Sequence, residues 1–350
     1  MTPLQAPHEK NLTTDHRAAR EVIDIATGTW RAQALYAAAA LRIPDHVADG
    51  AATSEALAAR TGVGEDGVRR LMRLLATLGV FEGAERSGYR LNAVSELLRS
   101  DVPGSMRDMC LIYGEEFHQA WGAVLPALRK GSTGFEAAFG STLGDFLRDT
   151  PGAGPKFQRA MSVGSAPFAD VSRAIDFSRF GTVVDVGGGN GTFLSMVLRE
   201  NPGLRGVLFD LPHIAPLARE HLDSAVAPER YLIRSGDVFE AVPSGGDAYL
   251  LSRILQDWDD GECVRLLANC RRAMAGSGRL FILERVIEEA GTDPPADVLP
   301  VLWDVHLMLI AGGRERTLPE YRSLLDRAGL RLESVESLPL ETSLIVASAI

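Results

Sequence analysis

The spacing of apolar residues changes once along this chain. Up to about residue 175 apolar positions recur at helical intervals among strong helix formers, as in "TWRAQALYAAAALRIPDHV". "TSEALAARTGVGEDGVRRLMRLLATLGVFE" reads as two short helices joined by "TGVG", with Thr53 as a cap whose box is shifted from the usual spacing. "GVFEGAERSGYRLN" follows as a small hairpin: Gly79 ends the helix, and Tyr89 and Leu91 alternate. Helix, turn, helix and hairpin make a winged-helix pattern. From about residue 180 the apolar runs become short: "GTVVDVG", "RGVLFDL", "RYLIRSGDVF", "DAYLLS", "GRLFILERV" and, at the end, "TSLIVASAI". Helical stretches such as "GTFLSMVLREN", "APLAREHL" and "GECVRLLANCRRAMA" separate most of them. That alternation predicts a doubly wound, mostly parallel sheet.

Composition narrows the classes. A length of 350 residues favours two domains. With 46% apolar and 23% charged residues the chain is ordinary for a globular protein. No run of apolar residues is long enough to predict a membrane span. The first 24 residues are polar and lack the apolar core of a signal peptide, so a cytoplasmic protein is expected. The net charge of −10 argues against a general nucleic-acid binder. Cys110, Cys263 and Cys270 form no CxxC pair and are expected to be reduced; no metal site is expected.

Two stretches carry chemistry. In "VVDVGGGNGTFL" a buried strand ends in a Gly-rich turn, Gly187, Gly189 and Gly191, and a helix begins. Glycine permits the tight turn and the close approach of a ligand. The spacing is GxGxG rather than the GxGxxG of nicotinamide enzymes. Asp210 closes the next strand, where a carboxylate can accept from both hydroxyls of a ribose. Asp237, in "SGDVF", is placed to meet an adenine edge, with Val238 against the ring. The second stretch is "LQDWDD", residues 255–260, which follows the strand "AYLLS". One Trp and three Asp just past a strand predict a site, yet the chain sets an amide, Gln256, where a base would be useful.

These residues carry a resemblance. "VVDVGGGNGTF", "LFDLP", "SGDVFEAVP", "AYLLSRILQDWDD", "GRLFILE" and "GGRERT" resemble the S-adenosylmethionine-dependent methyltransferases of the caffeate and hydroxyindole O-methyltransferase type. The likeness covers nearly the whole chain. "AYLLSRIL", "VLWDVHLMLIAGGRERT" and "LPLETSLIVASA" are most similar to the bacterial secondary-metabolite branch acting on phenazines and polyketide aromatics. The resemblance implies a Rossmann-like methyltransferase sheet with an N-terminal all-helical winged-helix dimerisation domain. It implies a dimerisation domain over residues 1–110, a helical linker contributing to the substrate pocket over 111–175, and a catalytic domain over 176–350. It places S-adenosylmethionine, leaving as S-adenosylhomocysteine, on Met161, Gly187, Gly189, Asp210, Asp237, Val238 and Ser252. Gln256 falls where relatives carry the histidine general base, and Glu284 and Glu315 match the acids that orient that base. His118 and His306 fall in segments that bound the substrate pocket in that family; Tyr113, Phe117, Trp121, Phe157, Trp258 and Trp303 offer flat faces for a small aromatic substrate, the alternative being ordinary core. A homodimer is implied.

Loss of the base leaves several routes open. The substrate could arrive ionised, as an acidic phenol or carboxylate. It could attack through a ring nitrogen with a free lone pair, giving N-methylation. Another residue could act as base, with His118 and His306 the candidates, while His8, His16, His46, His213 and His221 are expected at surfaces. A non-methylating tailoring enzyme that still binds the cofactor is a further alternative. So is a DNA-binding regulator, for which the arginines of "EDGVRRLMRLLATLG" would form a recognition helix.

Overall fold

The computed structural model describes residues 16–162, 171, 174–288, 298–339 and 341–350, and the chain divides between Gly114 and Glu115 into two units. Among its described residues the first is helical but for one hairpin: α1 (His16–Ala26), α2 (Gly28–Ala40), α3 (Ile43–Ala48), α4 (Ser54–Thr61), α5 (Glu65–Thr77), β1 (Glu82–Ala84), β2 (Gly88–Arg90), α6 (Ala93–Glu96) and α7 (Arg107–Gly114). Thr53 caps α4, its hydroxyl accepting from Ala56 N at 3.2 Å, and Gly62 ends that helix in the left-handed region. The hairpin is antiparallel, and a Cβ at Gly83 would lie 2.1 Å from the Gly88 carbonyl oxygen. Leu57, Val68, Met72, Leu75, Phe81 and Tyr89 form the core of this unit. Of the arginines of α5, Arg69 and Arg70 pair with Glu65 and Asp66 of the same helix.

Among the described residues the second unit opens with α8 (Glu116–Gly122), α9 (Val124–Lys130), α10 (Gly134–Phe139), α11 (Leu143–Asp149) and α12 (Ala153–Ser162). These helices cluster with the sheet that follows, in the unit that begins at Glu115. Trp121 on α8 meets His306, 185 positions away, and such a pairing is invisible to local periodicity. Then come β3 (Thr182–Val186), α13 (Thr192–Glu200), β4 (Arg205–Asp210), α14 (Ala215–Ala225), β5 (Tyr231–Ser235), β6 (Ala248–Ser252), α15 (Asp260–Ala273), β7 (Arg279–Glu284), β8 (Val286–Ile287), α16 (Val298–Ile310), β9 (Arg316–Thr317), α17 (Leu318–Arg327), β10 (Leu330–Leu338) and β11 (Thr342–Ala349).

Seven strands form one sheet in the order β10-β11-β7-β6-β3-β4-β5. β7-β6-β3-β4-β5 are parallel, and β11 joins β7 antiparallel. Alternate residues of each inner strand enter opposite cores. Val184, Tyr249 and Ile282 pack with α15 and α17, whereas Val183, Leu250 and Phe281 pack with α13 and α14. With both faces covered the strands read as unbroken apolar runs. The strand order reverses between β3 and β6, so the crevice beyond the carboxyl ends of these strands is where such sheets bind ligands. The three cysteines are buried free thiols, and burial pushes them up to about 11 for Cys110 and about 12 for Cys263 and Cys270. Among the described residues no helix is long and apolar enough to cross a membrane.

Candidate active site

The Gly-rich turn leaves β3 at this crevice. Gly187, Gly189 and Gly191 have φ of +70°, +57° and +80°, which disfavour any side chain. A Cβ at Gly187 would lie 2.7 Å from Ile254 Cδ1, so the turn is backed by the residue just before "LQDWDD". A Cβ at Gly189 would meet nothing within 4 Å, which marks the open side of the cradle. Asp210 fixes the turn: its Oδ2 accepts from Gly189 N at 2.8 Å and its Oδ1 from Leu211 N at 2.6 Å. Each carboxylate oxygen retains capacity for a second donor. Asp237 turns its own loop by accepting from Phe239 N at 2.8 Å, and the Val238 carbonyl accepts from Asn269 Nδ2 at 2.7 Å. Ser252 Oγ is buried with no protein partner. The Met161 carbonyl accepts from Arg253 Nη2 at 3.3 Å.

Asp185 was not singled out from the sequence. It lies in β3 two residues before Gly187, is 1% exposed, and has an unpartnered Oδ2. Burial, with the charge of Asp210, pushes its carboxyl up to about 7. A charged residue type inside a buried strand immediately before a Gly-rich turn was the available signal. Open backbone at Gly189, carboxylates with remaining lone pairs and an orphaned hydroxyl together fit a polar nucleoside ligand.

The segment "LQDWDD" contains a single 3-10 turn, Leu255–Asp257. Glu284, at the end of β7, holds its start: Oε1 accepts from Ile254 N at 2.9 Å and from Leu255 N at 2.7 Å. The "GGRERT" segment holds its other side. Arg314 N donates to the Gln256 carbonyl at 2.7 Å, and a Cβ at Gly313 would lie 2.3 Å from that same oxygen. The Arg314–Gln256 backbone bond thus requires glycine at 313. Arg316, also not singled out from the sequence, clamps the whole segment. It is fully buried, and its Nη1 donates to the Leu255 carbonyl at 2.8 Å and its Nη2 to the Trp258 carbonyl at 2.7 Å. Its Nε and Nη2 reach Asp260 Oδ1 at 3.0 and 2.9 Å.

Charge is concentrated here. Glu284 is fully buried and Glu315 is 2% exposed. Glu315 Oε1 accepts from Arg285 Nη1 at 3.2 Å, and its backbone N–H donates to Asp304 Oδ1 at 2.9 Å. Burial pushes Glu284 up to about 8; the charges of Glu315 and Asp257 add to this, and the N–H groups of Leu255 and Ile254 oppose it. Burial likewise pushes Glu315 up to about 7, against the pull of Arg285. Asp257 reaches solvent but is crowded by protein on its other sides. Desolvation pushes it up to about 6, against a hydrogen bond from Gln256 and the charge of Arg253. Glu284 Oε2, Glu315 Oε2 and Gln256 Oε1 are all buried with no protein partner.

The aromatic residues divide. His306 on α16 is the centre of one cluster, with Phe117 edge-on at 4.8 Å, Trp303 edge-on at 5.2 Å and Trp121 stacked at 6.5 Å between centroids. Arg285 lies over the Trp303 ring at 4.4 Å. Trp121 Nε1 donates to His306 Nδ1 at 3.1 Å, which places the imidazole proton on Nε2. Burial and then the charge of Arg285 push the imidazole down to about 4. Trp258 is not in this cluster; it packs edge-on against Phe239 at 4.7 Å, in the layer beside β6. His118 is exposed on α8, and Phe157 is half-buried on α12. Tyr113 belongs to the first unit. Of the histidines expected at surfaces, His16 and His213 are exposed, His46 is half-buried, and His8 lies outside the described residues. His221 departs from that expectation: it is half-buried against Ser195 Oγ at 3.0 Å, and burial lowers its pKa.

Comparisons with known proteins match this architecture. The family model of the O-methyltransferase domain covers residues 121–331, and that of the O-methyltransferase dimerisation domain covers residues 23–101. A phenazine-1-carboxylate N-methyltransferase of Pseudomonas aeruginosa is 44% identical, over 95% of this chain and 97% of the relative. A 3-amino-4-hydroxybenzoate 4-O-methyltransferase of Streptomyces cremeus is 42% identical, over 95% and 90%. The solved S-adenosylhomocysteine-bound structure of CalO1, a methyltransferase in calicheamicin biosynthesis, superposes with a TM-score of 0.85. It is 34% identical and is matched over 97% of this chain and 100% of its own.

Proposed function

The chain belongs to the O-methyltransferase family, and as an S-adenosylmethionine-dependent enzyme of that family we propose that it methylates a hydroxyl or carboxylate of a small aromatic secondary metabolite. The observation that carries this reading is the Gly187–Gly191 turn, tied to Asp210 and open at Gly189, at the point where the strand order reverses. We infer that Met161, Gly187, Gly189, Asp210, Asp237, Val238 and Ser252 hold the cofactor. When bound, S-adenosylmethionine supplies a methyl group already activated by its positively charged sulfur. The protein then has to orient the acceptor, and correct positioning can contribute several kcal/mol.

Trp121, Trp303 and His306 form a ready-made aromatic wall. With Nδ1 committed to Trp121, His306 presents its Nε2–H as a donor rather than a base. Gln256 can donate to an anionic oxygen or accept from a hydroxyl. Attack by a ring nitrogen is the second reading. A lone pair on nitrogen needs no proton removed, and the Pseudomonas relative is named as an N-methyltransferase. Homodimerisation through the first unit is supported by the match to the dimerisation domain.

Calorimetry with S-adenosylhomocysteine tests the cofactor placement. Hydrogen bonds to a charged group are worth about 1.5–3 kcal/mol each, so Asp210→Ala is expected to weaken binding at least about tenfold. Wild-type affinity in a variant with an unchanged circular dichroism spectrum would refute the assignment of Asp210.

A further inference from the structure

For a hydroxyl acceptor, the reaction proposed above needs a group to take the proton. We propose that this group is the buried carboxyl pair Glu284 and Glu315, with Asp257 as the route by which the proton leaves to solvent. The inference rests on the methyltransferase reading.

His306, the histidine of the aromatic cluster, is not poised as a base. His306 accepts from Trp121 through Nδ1 and so carries its proton on Nε2. His118 is exposed, and His221 is engaged with Ser195 on the α13–α14 side of the sheet. The carboxyls remain. Glu284 and Glu315 each commit one oxygen, Glu284 Oε1 to two backbone N–H groups and Glu315 Oε1 to Arg285. Each leaves Oε2 buried and unpartnered, as is Gln256 Oε1. Three buried acceptors without a donor form an unfavourable arrangement that a proton relieves.

The surrounding charges point the same way. Arg285 is the cation paired with Glu315, while the guanidinium of Arg316 is committed to Asp260 and two carbonyls. Asp257 from the 3-10 turn acts on both glutamates, Asp304 from α16 acts on Glu315, and Tyr321 from α17 is a neutral phenol raised further by both. Two buried carboxylates facing one guanidinium and two further acids favour retention of a proton. Glu284 at about 8 and Glu315 at about 7 are matched to proton exchange near neutral pH. Asp257 is linked to Gln256 by a hydrogen bond and reaches solvent.

The step balances simply. The substrate O–H bond breaks and its electron pair stays on oxygen, which becomes the nucleophile. The proton bonds to a lone pair of a glutamate Oε2, converting carboxylate to carboxylic acid. It then passes to Asp257 and water, restoring the carboxylate.

The test uses the full chain saturated with S-adenosylhomocysteine and 4-nitrophenol as the probe. Infrared difference spectra follow protonated carboxyls between pH 6 and 9 for wild type, Glu284→Gln, Glu315→Gln and the double variant. Visible spectra report whether the probe is phenol or phenolate, and a pH indicator counts protons released. The expected result is a carboxylic-acid band in wild type that falls over this range and is diminished in each single variant. Wild type is expected to ionise the probe while retaining its proton, and the double variant to ionise at least tenfold less of it at the same pH. An absent carboxyl band, or a probe spectrum that is the same with wild type and the double variant, overturns the proposal. If wild type fails to bind S-adenosylhomocysteine, the methyltransferase reading itself fails; binding of S-adenosylhomocysteine with no carboxyl proton defeats only this inference.

Discussion

Glu284, buried at a strand end, holds two backbone N–H groups on one oxygen and no protein partner on the other. Its pKa is raised, so its linkage to stability has a definite sign. Below about 4.5 the carboxyl is protonated in both folded and unfolded chains and imposes no penalty. Between about 4.5 and about 8 the unfolded chain ionises while the folded one keeps its proton. The folded state then binds more protons, and stability falls as pH rises. Above about 8 the loss is complete. Glu284→Gln retains an acceptor for Ile254 and Leu255 and removes the charge. Its stability relative to wild type is expected to rise across that window, by more than about 1 kcal/mol, since one pKa unit corresponds to about 1.4 kcal/mol. Urea midpoints measured from pH 5 to 8 check this, and a pH-independent difference would contradict it. Gln256, Glu284 and Glu315 were legible because each stands at a motif position. Arg316 and Asp185 were not, because their importance lies in partners remote along the chain or in burial. Trp258 shows the converse: an aromatic next to a site motif can belong to the core.

At the scale of elements, the site depends on how two short segments dock. Residues 255–260 have little regular structure of their own, and Glu284, Arg314 and Arg316 supply their order. Gly313 permits the approach, since a Cβ there would also lie 3.3 Å from Asp257 Cα. The obstructing atoms are backbone and cannot rotate away. Gly313→Ala is therefore expected to destabilise the chain by about 1–3 kcal/mol, the usual cost of overpacking, and to lower methyl transfer by displacing Gln256. Gly276→Ala is the control, because nothing lies within 4 Å of its added carbon. Thermal melts and turnover of the two variants decide the matter, and equal behaviour would show that the docking is not so tightly constrained. Six strands of the large sheet were legible as apolar runs, but β10 was not. It pairs only with β11, carries a register shift between Leu332 and Ser334, and exposes Arg331, Glu333, Ser334, Ser337 and others. An edge strand with charges on its open side lacks the signature that identifies a central one.

At the scale of the whole molecule, the first unit exposes more apolar surface than a self-sufficient domain would. None of α1 is buried, although Val22, Ile23 and Ile25 lie on it, and Ile25 is 82% and Trp30 68% exposed. Leu74, Leu78, Val94 and Leu97 are also exposed. The dimerisation-domain match spans residues 23–101 and so includes most of these side chains. A second copy of the chain is the partner proposed here. Obligate dimers typically bury about 2,000–5,000 Å², and a large aromatic near the centre of such a patch commonly contributes about 2 kcal/mol or more. Trp30→Asp combined with Ile25→Asp is therefore expected to weaken self-association by at least about a hundredfold, giving monomers by light scattering at micromolar concentration where wild type is a dimer. Asp210 lies in the other unit, so calorimetric binding of S-adenosylhomocysteine by the double variant distinguishes a separated dimer from a misfolded chain. A monomeric wild type, or a double variant that remains dimeric, would place the interface elsewhere or abolish it, and the exposed apolar residues of α1 would then need another explanation.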